Sequence, residues 1–124
     1  MDRTVTGPAR VLIVDDEPDI CEVLYESLVP AGYDVRPVFS AFDAVAVAAA
    51  YRPDVILLDL TMPGMPGDQV LQALRSAGVT APVIAITARP ERTRAGYFAV
   101  VGKPLDMREL RRTMTAAIGR ESDA

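Results

Sequence analysis

The sequence feature that most constrains the fold is the run Val-Ile-Leu-Leu-Asp at residues 55–59, followed by two Pro-Gly pairs within residues 60–67. Four consecutive apolar residues are typical of a strand that is buried on both faces of a sheet. The Pro-Gly pairs cannot continue a strand, so we expect Asp59 to stand at the rim of the sheet, facing a loop. A single acid at a strand end is also explained by bonds from its side chain to nearby backbone groups. The meaning of Asp59 therefore depends on which other residues reach the same rim.

Composition indicates one globular domain and excludes several kinds of site. The chain has 124 residues, of which 50% are hydrophobic and 24% charged, which is enough for a single hydrophobic core. With 13 basic and 17 acidic residues and a pI near 4.7, the protein lacks the positive charge of a nucleic-acid-binding domain. Histidine is absent and Cys21 is the only cysteine, which excludes histidine-based catalysis, disulfides and cysteine-based metal sites.

No segment of the sequence predicts secretion or a membrane span. The first nine residues lack the apolar core of a signal peptide, and no apolar run approaches the roughly 18 residues that a membrane helix needs. We therefore expect a cytoplasmic protein that does not contact the membrane.

The chain alternates between predicted strands and predicted helices. Residues 10–15 and 82–87 are apolar runs like the first, whereas the strand at 33–38 contains Pro37 and the strand at 97–102 is short. A segment with apolar residues at helical spacing follows each of the first three strands. After the fourth strand this spacing is less clear, because residues 89–96 are polar and at most two turns long. Alternation of this kind predicts a doubly wound α/β fold with a five-stranded parallel sheet in the order 2-1-3-4-5.

In a sheet of this order, ligands bind where the connections from the first and third strands leave in opposite directions, beyond the carboxyl ends of the strands. Asp15, Asp16 and Asp59 all lie at such strand ends. Residues 15–17 also have a simpler explanation, since the helix dipole favours acidic residues at the start of any helix. That explanation accounts for neither Asp59 nor Lys103.

Three carboxylates at one rim would repel each other unless a cation lay between them. Oxygen ligands without histidine or cysteine favour a hard ion, and Mg²⁺ commonly binds one or two carboxylates, water and a phosphate oxygen. With the metal on Asp16 and Asp59, the other Asp59 oxygen could attack phosphorus and form an aspartyl phosphate. Thr87 could then donate to one phosphoryl oxygen and Lys103 could neutralise another.

These motifs resemble the receiver domain of two-component response regulators. The resemblance covers nearly the whole chain, from VLIVDDEPD through VILLDLTMPGMPG and VIAITA to GKP. It implies a flavodoxin-like fold, Asp59 as the phosphoacceptor, an acidic Mg²⁺ pocket at Asp15 and Asp16, and the Thr61 carbonyl as a further metal ligand. It also implies that Thr87 is the switch hydroxyl and that Lys103 precedes a cis proline.

The sequence departs from the receiver pattern at three places. Val100 stands where receivers usually carry an aromatic residue, three positions before the lysine, and Pro66 stands where an acidic residue or serine is common. Only 16 positions separate Thr87 from Lys103 (103 − 87), fewer than receivers usually have. The fourth helix of the family is therefore predicted to be truncated or missing. The expected organisation is a flexible tail at 1–9, a receiver domain at 10–119 and a flexible tail at 120–124.

By the resemblance, the partners are a sensor histidine kinase or phosphotransfer protein and a downstream effector or output domain, with the chain itself a monomer. A receiver-like interaction module without regulated phosphorylation is the main alternative. A haloacid-dehalogenase-type phosphatase would need a second aspartate where Thr61 stands. An FMN-binding flavodoxin would need a hydroxyl-rich loop where residues 15–17 are acidic.

Overall fold

The computed structural model describes residues 7–62, 64, 66–90 and 95–122, with side chains up to residue 119. Five strands and four helices occur in these residues. They are β1 (Arg10–Val14), α1 (Pro18–Leu28), β2 (Asp34–Val38), α2 (Ala41–Tyr51), β3 (Val55–Asp59), α3 (Gly67–Ser76), β4 (Val83–Thr87), β5 (Ala99–Gly102) and α4 (Met107–Ser122).

The five strands form one parallel sheet in the order β2-β1-β3-β4-β5, so the predicted flavodoxin-like topology is confirmed. The apolar strands β1, β3 and β4 occupy the centre, where both faces are covered. Every residue of β3 and of β4 is buried. Pro37 lies in the edge strand β2, as expected for a residue that cannot donate a backbone hydrogen bond.

Each face of the sheet carries its own hydrophobic cluster. On one face, α2 and α3 cover Leu12, Ile56 and Val83. On the other face, α1 and α4 cover a second set that includes Ile13 and Leu57. The alternation of side chains along each strand divides the residues between the two clusters, which is why the strands read as continuous apolar runs.

The two middle helices begin differently. At the start of α2, the Ser40 hydroxyl accepts the Phe42 N–H at 3.1 Å and caps the helix. At the start of α3, Pro66 occupies the cap position and provides no side-chain hydrogen bond. Only the Pro66 carbonyl takes part, accepting the N–H groups of Gln69 and Val70.

Two boundaries differ from the predicted ones. The fifth strand begins at Ala99 rather than at residue 97. Tyr97 and Phe98, just before it, pack on the clusters of opposite faces. At the other end, α4 continues through Ser122, three residues beyond the predicted domain limit at 119.

The connection between β4 and β5 spans residues 88–98, which we call the β4–β5 segment. No helix occurs in its described parts, residues 88–90 and 95–98. The predicted truncation of the family's fourth helix centres on residues 91–94, which lie outside the described residues, as do residues 1–6 of the predicted amino-terminal tail. Within the part of the chain that the structure describes, no helix is long and apolar enough to cross a bilayer.

Candidate phosphorylation and metal site

The carboxyl ends of the strands bring four predicted site residues to one edge of the sheet. Asp59 and Thr87 are the last residues of β3 and β4, Asp15 follows β1, and Lys103 follows β5. Main-chain bonds fix these positions, since the Asp15 N–H donates to the Val38 carbonyl at 3.0 Å and the Lys103 N–H donates to the Thr87 carbonyl at 2.9 Å. The side chains of Asp15, Asp59 and Thr87 are all buried.

Asp59 has one crowded oxygen and one oxygen without a partner. Its Oδ1 accepts the Thr61 N–H at 2.9 Å and the Thr61 hydroxyl at 2.7 Å, and the Lys103 Nζ lies 3.4 Å away. Its Oδ2 is buried and makes no hydrogen bond in the structure. A buried carboxylate oxygen without a donor is unfavourable by itself, and a bound cation would offset that cost.

Asp15 shows the same asymmetry. Its Oδ1 accepts the Glu17 N–H at 2.9 Å, while its Oδ2 is buried without a hydrogen-bond partner. Burial is the largest reason why the pKa of the Asp15 carboxyl rises to about 6. The hydrogen bond from Glu17 opposes that rise, and the charge of Asp59 adds to it.

Carboxylate oxygens of Asp15, Glu17 and Asp59 lie within 4.8 Å of one another. Two of these residues, Asp15 and Asp59, each carry a buried oxygen without a hydrogen-bond partner, and oxygen donors alone fit a hard cation such as Mg²⁺. Asp16, which the sequence analysis placed in the pocket, is exposed and is not a member of this group. Glu17 is a member because the turn that bonds its N–H to Asp15 also brings its side chain to the rim.

From sequence, Glu17 was explained only as part of an acidic helix start. A signal was available, since an aspartate often accepts the N–H two residues later, and such a turn folds the next side chains back toward it. The role of the Thr61 carbonyl as a metal ligand stays a prediction, and the Thr61 N–H and hydroxyl both donate to Asp59.

Thr87 and Lys103 complete the rim. The Thr87 hydroxyl accepts the Arg89 N–H at 3.0 Å, and the Lys103 side chain is 22% exposed, so its ammonium remains reachable from solvent. The peptide bond from Lys103 to Pro104 is cis, as the resemblance implied.

The buried Cys21 side chain contacts the main chain of the pocket at Asp15. Its Sγ donates to the Asp15 carbonyl at 3.5 Å, and burial raises the pKa of the thiol to about 11. A thiol that stays protonated is a weak donor and an inert small side chain. We therefore assign Cys21 to packing rather than to chemistry.

Comparisons with known proteins agree with this geometry. A profile of the response regulator receiver domain matches residues 11–115. The transcriptional regulatory protein KdpE of Mycobacterium tuberculosis is 38% identical over 120 residues, and the response regulator MprA of a Mycobacterium species is 36% identical over 121 residues. These matches cover 92% and 93% of this chain but 53% of each relative, so the chain spans about half the length of the curated relatives it matches.

Two solved structures are similar over most of the chain. The receiver domain of a sensor histidine kinase from Pseudomonas aeruginosa has 30% identity and a TM-score of 0.82, and the match covers 91% of this chain and 99% of that one. That structure holds a magnesium ion coordinated in its active-site cleft. The chemotaxis protein CheY4 of Vibrio cholerae has 29% identity and a TM-score of 0.79, with coverage of 90% and 99%.

Proposed function

Because the chain belongs to the receiver domain family of two-component response regulators, we propose that it accepts a phosphoryl group on Asp59 in a Mg²⁺-dependent reaction. The observation that supports this most directly is the pair of buried, unpartnered oxygens on Asp15 and Asp59. A module that acted only by binding would gain nothing from two buried oxygens left without partners.

In the proposed reaction, Asp59 Oδ1 attacks the phosphorus of a phosphohistidine. The new bond joins Oδ1 to phosphorus, the phosphorus–nitrogen bond breaks, and its electron pair returns to the imidazole ring. Oδ1 is assigned as the nucleophile because Lys103 lies beside it, which leaves the unpartnered Oδ2 for the cation. The Lys103 ammonium, 3.4 Å from Oδ1, is placed to neutralise charge that builds on the phosphoryl oxygens.

Asp15, Asp59 and an acid from the β1–α1 turn would hold the cation, with Glu17 favoured over Asp16 by its position. The Thr61 carbonyl stays the predicted fourth ligand. Bound Mg²⁺ would offset the repulsion among these carboxylates and polarise a phosphoryl oxygen. The Thr87 hydroxyl is proposed to donate to another phosphoryl oxygen.

The partners follow from this chemistry. We propose that a sensor histidine kinase or a phosphotransfer protein supplies the phosphoryl group in the cytoplasm, and that a downstream effector or an output domain reads the result. The receiver domain is assigned to residues 10–119, and it acts as a monomer with no direct contact to nucleic acid or membrane. Its net charge of −4 agrees with the lack of a nucleic-acid surface.

Phosphorylation by a small donor tests the proposal without a cognate kinase. Incubation with acetyl phosphate and Mg²⁺ is expected to add one phosphoryl group, measured by intact mass, and Asp59→Asn is expected to add none. Asp43→Asn, which changes an exposed acid on α2, serves as the control and should react like the wild type. Modification that survives in Asp59→Asn, or that proceeds equally well with a chelator present, would contradict the assignment.

A further inference from the structure

The outer side of α2 is apolar although it is exposed to solvent. Phe42 is 71% exposed, more than any other large hydrophobic side chain in the described part of the chain. Ala46, Ala49 and Ala50 are also exposed, four, seven and eight residues later, so all four side chains lie on one side of the helix. We call these four residues the α2 face. Asp43 is the only charged residue within α2, and an exposed apolar face of this kind is typical of an interaction surface.

A groove of about 780 Å³ lies beside the C-terminal end of α2. Ala49 lines it from the helix, and Val79 and Ala81 line it from the turn before β4. Arg52, the exposed residue that follows the helix, also borders this groove. Its volume is within the range of pockets that accept whole small molecules, so there is room for one aromatic ring at its edge.

We propose that the α2 face is a self-association surface, on which Phe42 of one copy packs against Ala49 and Ala50 of a second copy, at the edge of the groove. The two helices run antiparallel about a two-fold axis at Ala46, which lies midway between Phe42 and Ala50. The large side chain of each helix then meets the small side chains of the other. This inference does not depend on the phosphorylation of Asp59.

The charges at the two ends of α2 match this arrangement. Asp43 lies in the first turn, Arg52 follows the last residue of the helix, and both side chains are exposed. Among the residues that the structure describes, neither has an ion-pair partner. Antiparallel packing places Asp43 of each copy near Arg52 of the other, whereas parallel packing would place like charges together. Charge complementarity therefore favours a second copy in the antiparallel orientation.

The contact is small, so the pair is weak. An 11-residue helix is about 16 Å long, and interfaces below about 1,200 Å² are typical of transient complexes. Each copy also has a net charge of −4, which opposes association. We expect the chain to remain a monomer at low concentration, which is the state in which Asp59 is proposed to react. Pairs should form as the concentration rises toward about 1 mM.

Sedimentation equilibrium of the whole chain, at concentrations from about 1 μM to about 1 mM and in about 0.15 M salt, measures this association. The mean mass of the wild type is expected to rise from 13.3 kDa toward twice that value. Phe42→Ala removes an exposed ring and should weaken the pair about tenfold or more. Tyr25→Ala, at a 47% exposed aromatic residue on α1, is the matched control and should associate like the wild type.

A charge exchange tests the orientation. Asp43→Lys and Arg52→Asp should each weaken the pair, because each brings like charges together, and the double variant should restore it. An effect on the helix alone predicts the opposite result, since both changes are unfavourable for the helix dipole and their effects would add. Aspartate tolerates the positive φ of 57° that Arg52 adopts, so Arg52→Asp keeps the end of the helix.

Cross-linking tests the position of the two-fold axis. Because Ala46 meets its own copy there, Ala46→Cys should form a disulfide-linked dimer when the oxidant diamide is added. Ala116→Cys, at an exposed alanine on α4, is the control and should cross-link far more slowly. The native Cys21 is buried, so the wild type gives the background.

A wild type that stays at 13.3 kDa up to about 1 mM would overturn the proposal. Unchanged association of Phe42→Ala would do the same, as would a double charge variant that pairs no better than the single ones. None of these measurements involves phosphorylation, so their failure is distinct from a failure of the proposed function.

Discussion

At the scale of single residues, the two oxygens of Asp59 have opposite surroundings. Oδ1 has the Thr61 N–H, the Thr61 hydroxyl and the Lys103 ammonium around it, and Oδ2 has no hydrogen-bond partner. Each donor on Oδ1 stabilises its negative charge and so lowers its reactivity as a nucleophile. The Thr61 side chain is therefore expected to set how fast Asp59 reacts.

Replacing Thr61 with alanine should accelerate phosphorylation of Asp59 by acetyl phosphate. The variant loses the 2.7 Å hydroxyl bond to Oδ1 but keeps the N–H bond at 2.9 Å. A hydrogen bond worth about 1 kcal/mol corresponds to a rate increase of about fivefold. Thr61→Ser keeps the hydroxyl and should react near the wild-type rate. A slower reaction of Thr61→Ala in a time course of intact mass would show that the hydroxyl assists the attack instead.

Lys103→Ala should leave Mg²⁺ affinity unchanged or increased while weakening the response to phosphorylation. The ammonium is 3.4 Å from Asp59 Oδ1, where it opposes a nearby cation but pairs with a phosphoryl group. Titration with Mg²⁺ by calorimetry on both proteins measures the first effect. Arg108→Ala, at an exposed cation on α4, is the control for a general loss of positive charge. A large loss of Mg²⁺ affinity in Lys103→Ala alone would contradict this role.

The position of Asp15, Asp59, Thr87 and Lys103 at one edge of the sheet could be predicted from sequence, because each follows or ends an apolar strand and strand ends meet at one edge of a parallel sheet. Glu17 could not be placed in the same way. Its position depends on a turn in which the Asp15 carboxylate accepts its N–H, and strand periodicity carries no information about that turn.

At the scale of elements, the end of α2 is joined to the starts of β1 and β2 through Tyr51. The Tyr51 hydroxyl donates to the Asp34 carbonyl at 2.9 Å, and the Arg36 guanidinium lies 4.6 Å from the ring centroid. The Arg10 side chain donates to the Tyr51 carbonyl at 2.9 Å. This cluster fixes the amino-terminal edge of the sheet, opposite to the phosphorylation site.

Tyr51→Phe is expected to lower the free energy of unfolding by about 1 kcal/mol at neutral pH, because the buried hydrogen bond to Asp34 is lost while the ring remains. Burial raises the pKa of Tyr51 from its ordinary value of 10.0 to about 12. Between these two values the unfolded chain loses the phenol proton and the folded chain keeps it, so the wild type loses stability as pH rises. Urea unfolding at pH 7 and pH 11 should show the advantage of the wild type shrinking; an advantage that grows with pH would be inconsistent with the raised pKa.

The strand order was predictable from sequence because three apolar runs must be central and Pro37 must be near an edge. The start of β5 was not, because Tyr97 and Phe98 continue the apolar pattern and pack on alternate faces like strand residues, although the strand begins at Ala99. The hydrogen bond between Tyr97 and Asp68 joins residues 29 positions apart, so no local pattern predicts it.

At the scale of the whole molecule, the two ends of the parallel strands carry different contacts. The acceptor carboxylate and its neighbours are at the carboxyl ends of the central strands, whereas the Tyr51 contacts join α2 to the amino-terminal edge of the sheet.

The burial of β3 and β4 determines which parts of the protein open first when it is warmed. Every residue of these strands is buried, so the main chain that presents Asp59 and Thr87 can open only when the entire domain unfolds. The Tyr97–Asp68 hydrogen bond is exposed and can open by itself at far lower cost. On warming, exposed contacts of this kind should open first, and the ability to accept a phosphoryl group should be lost only at the melting transition.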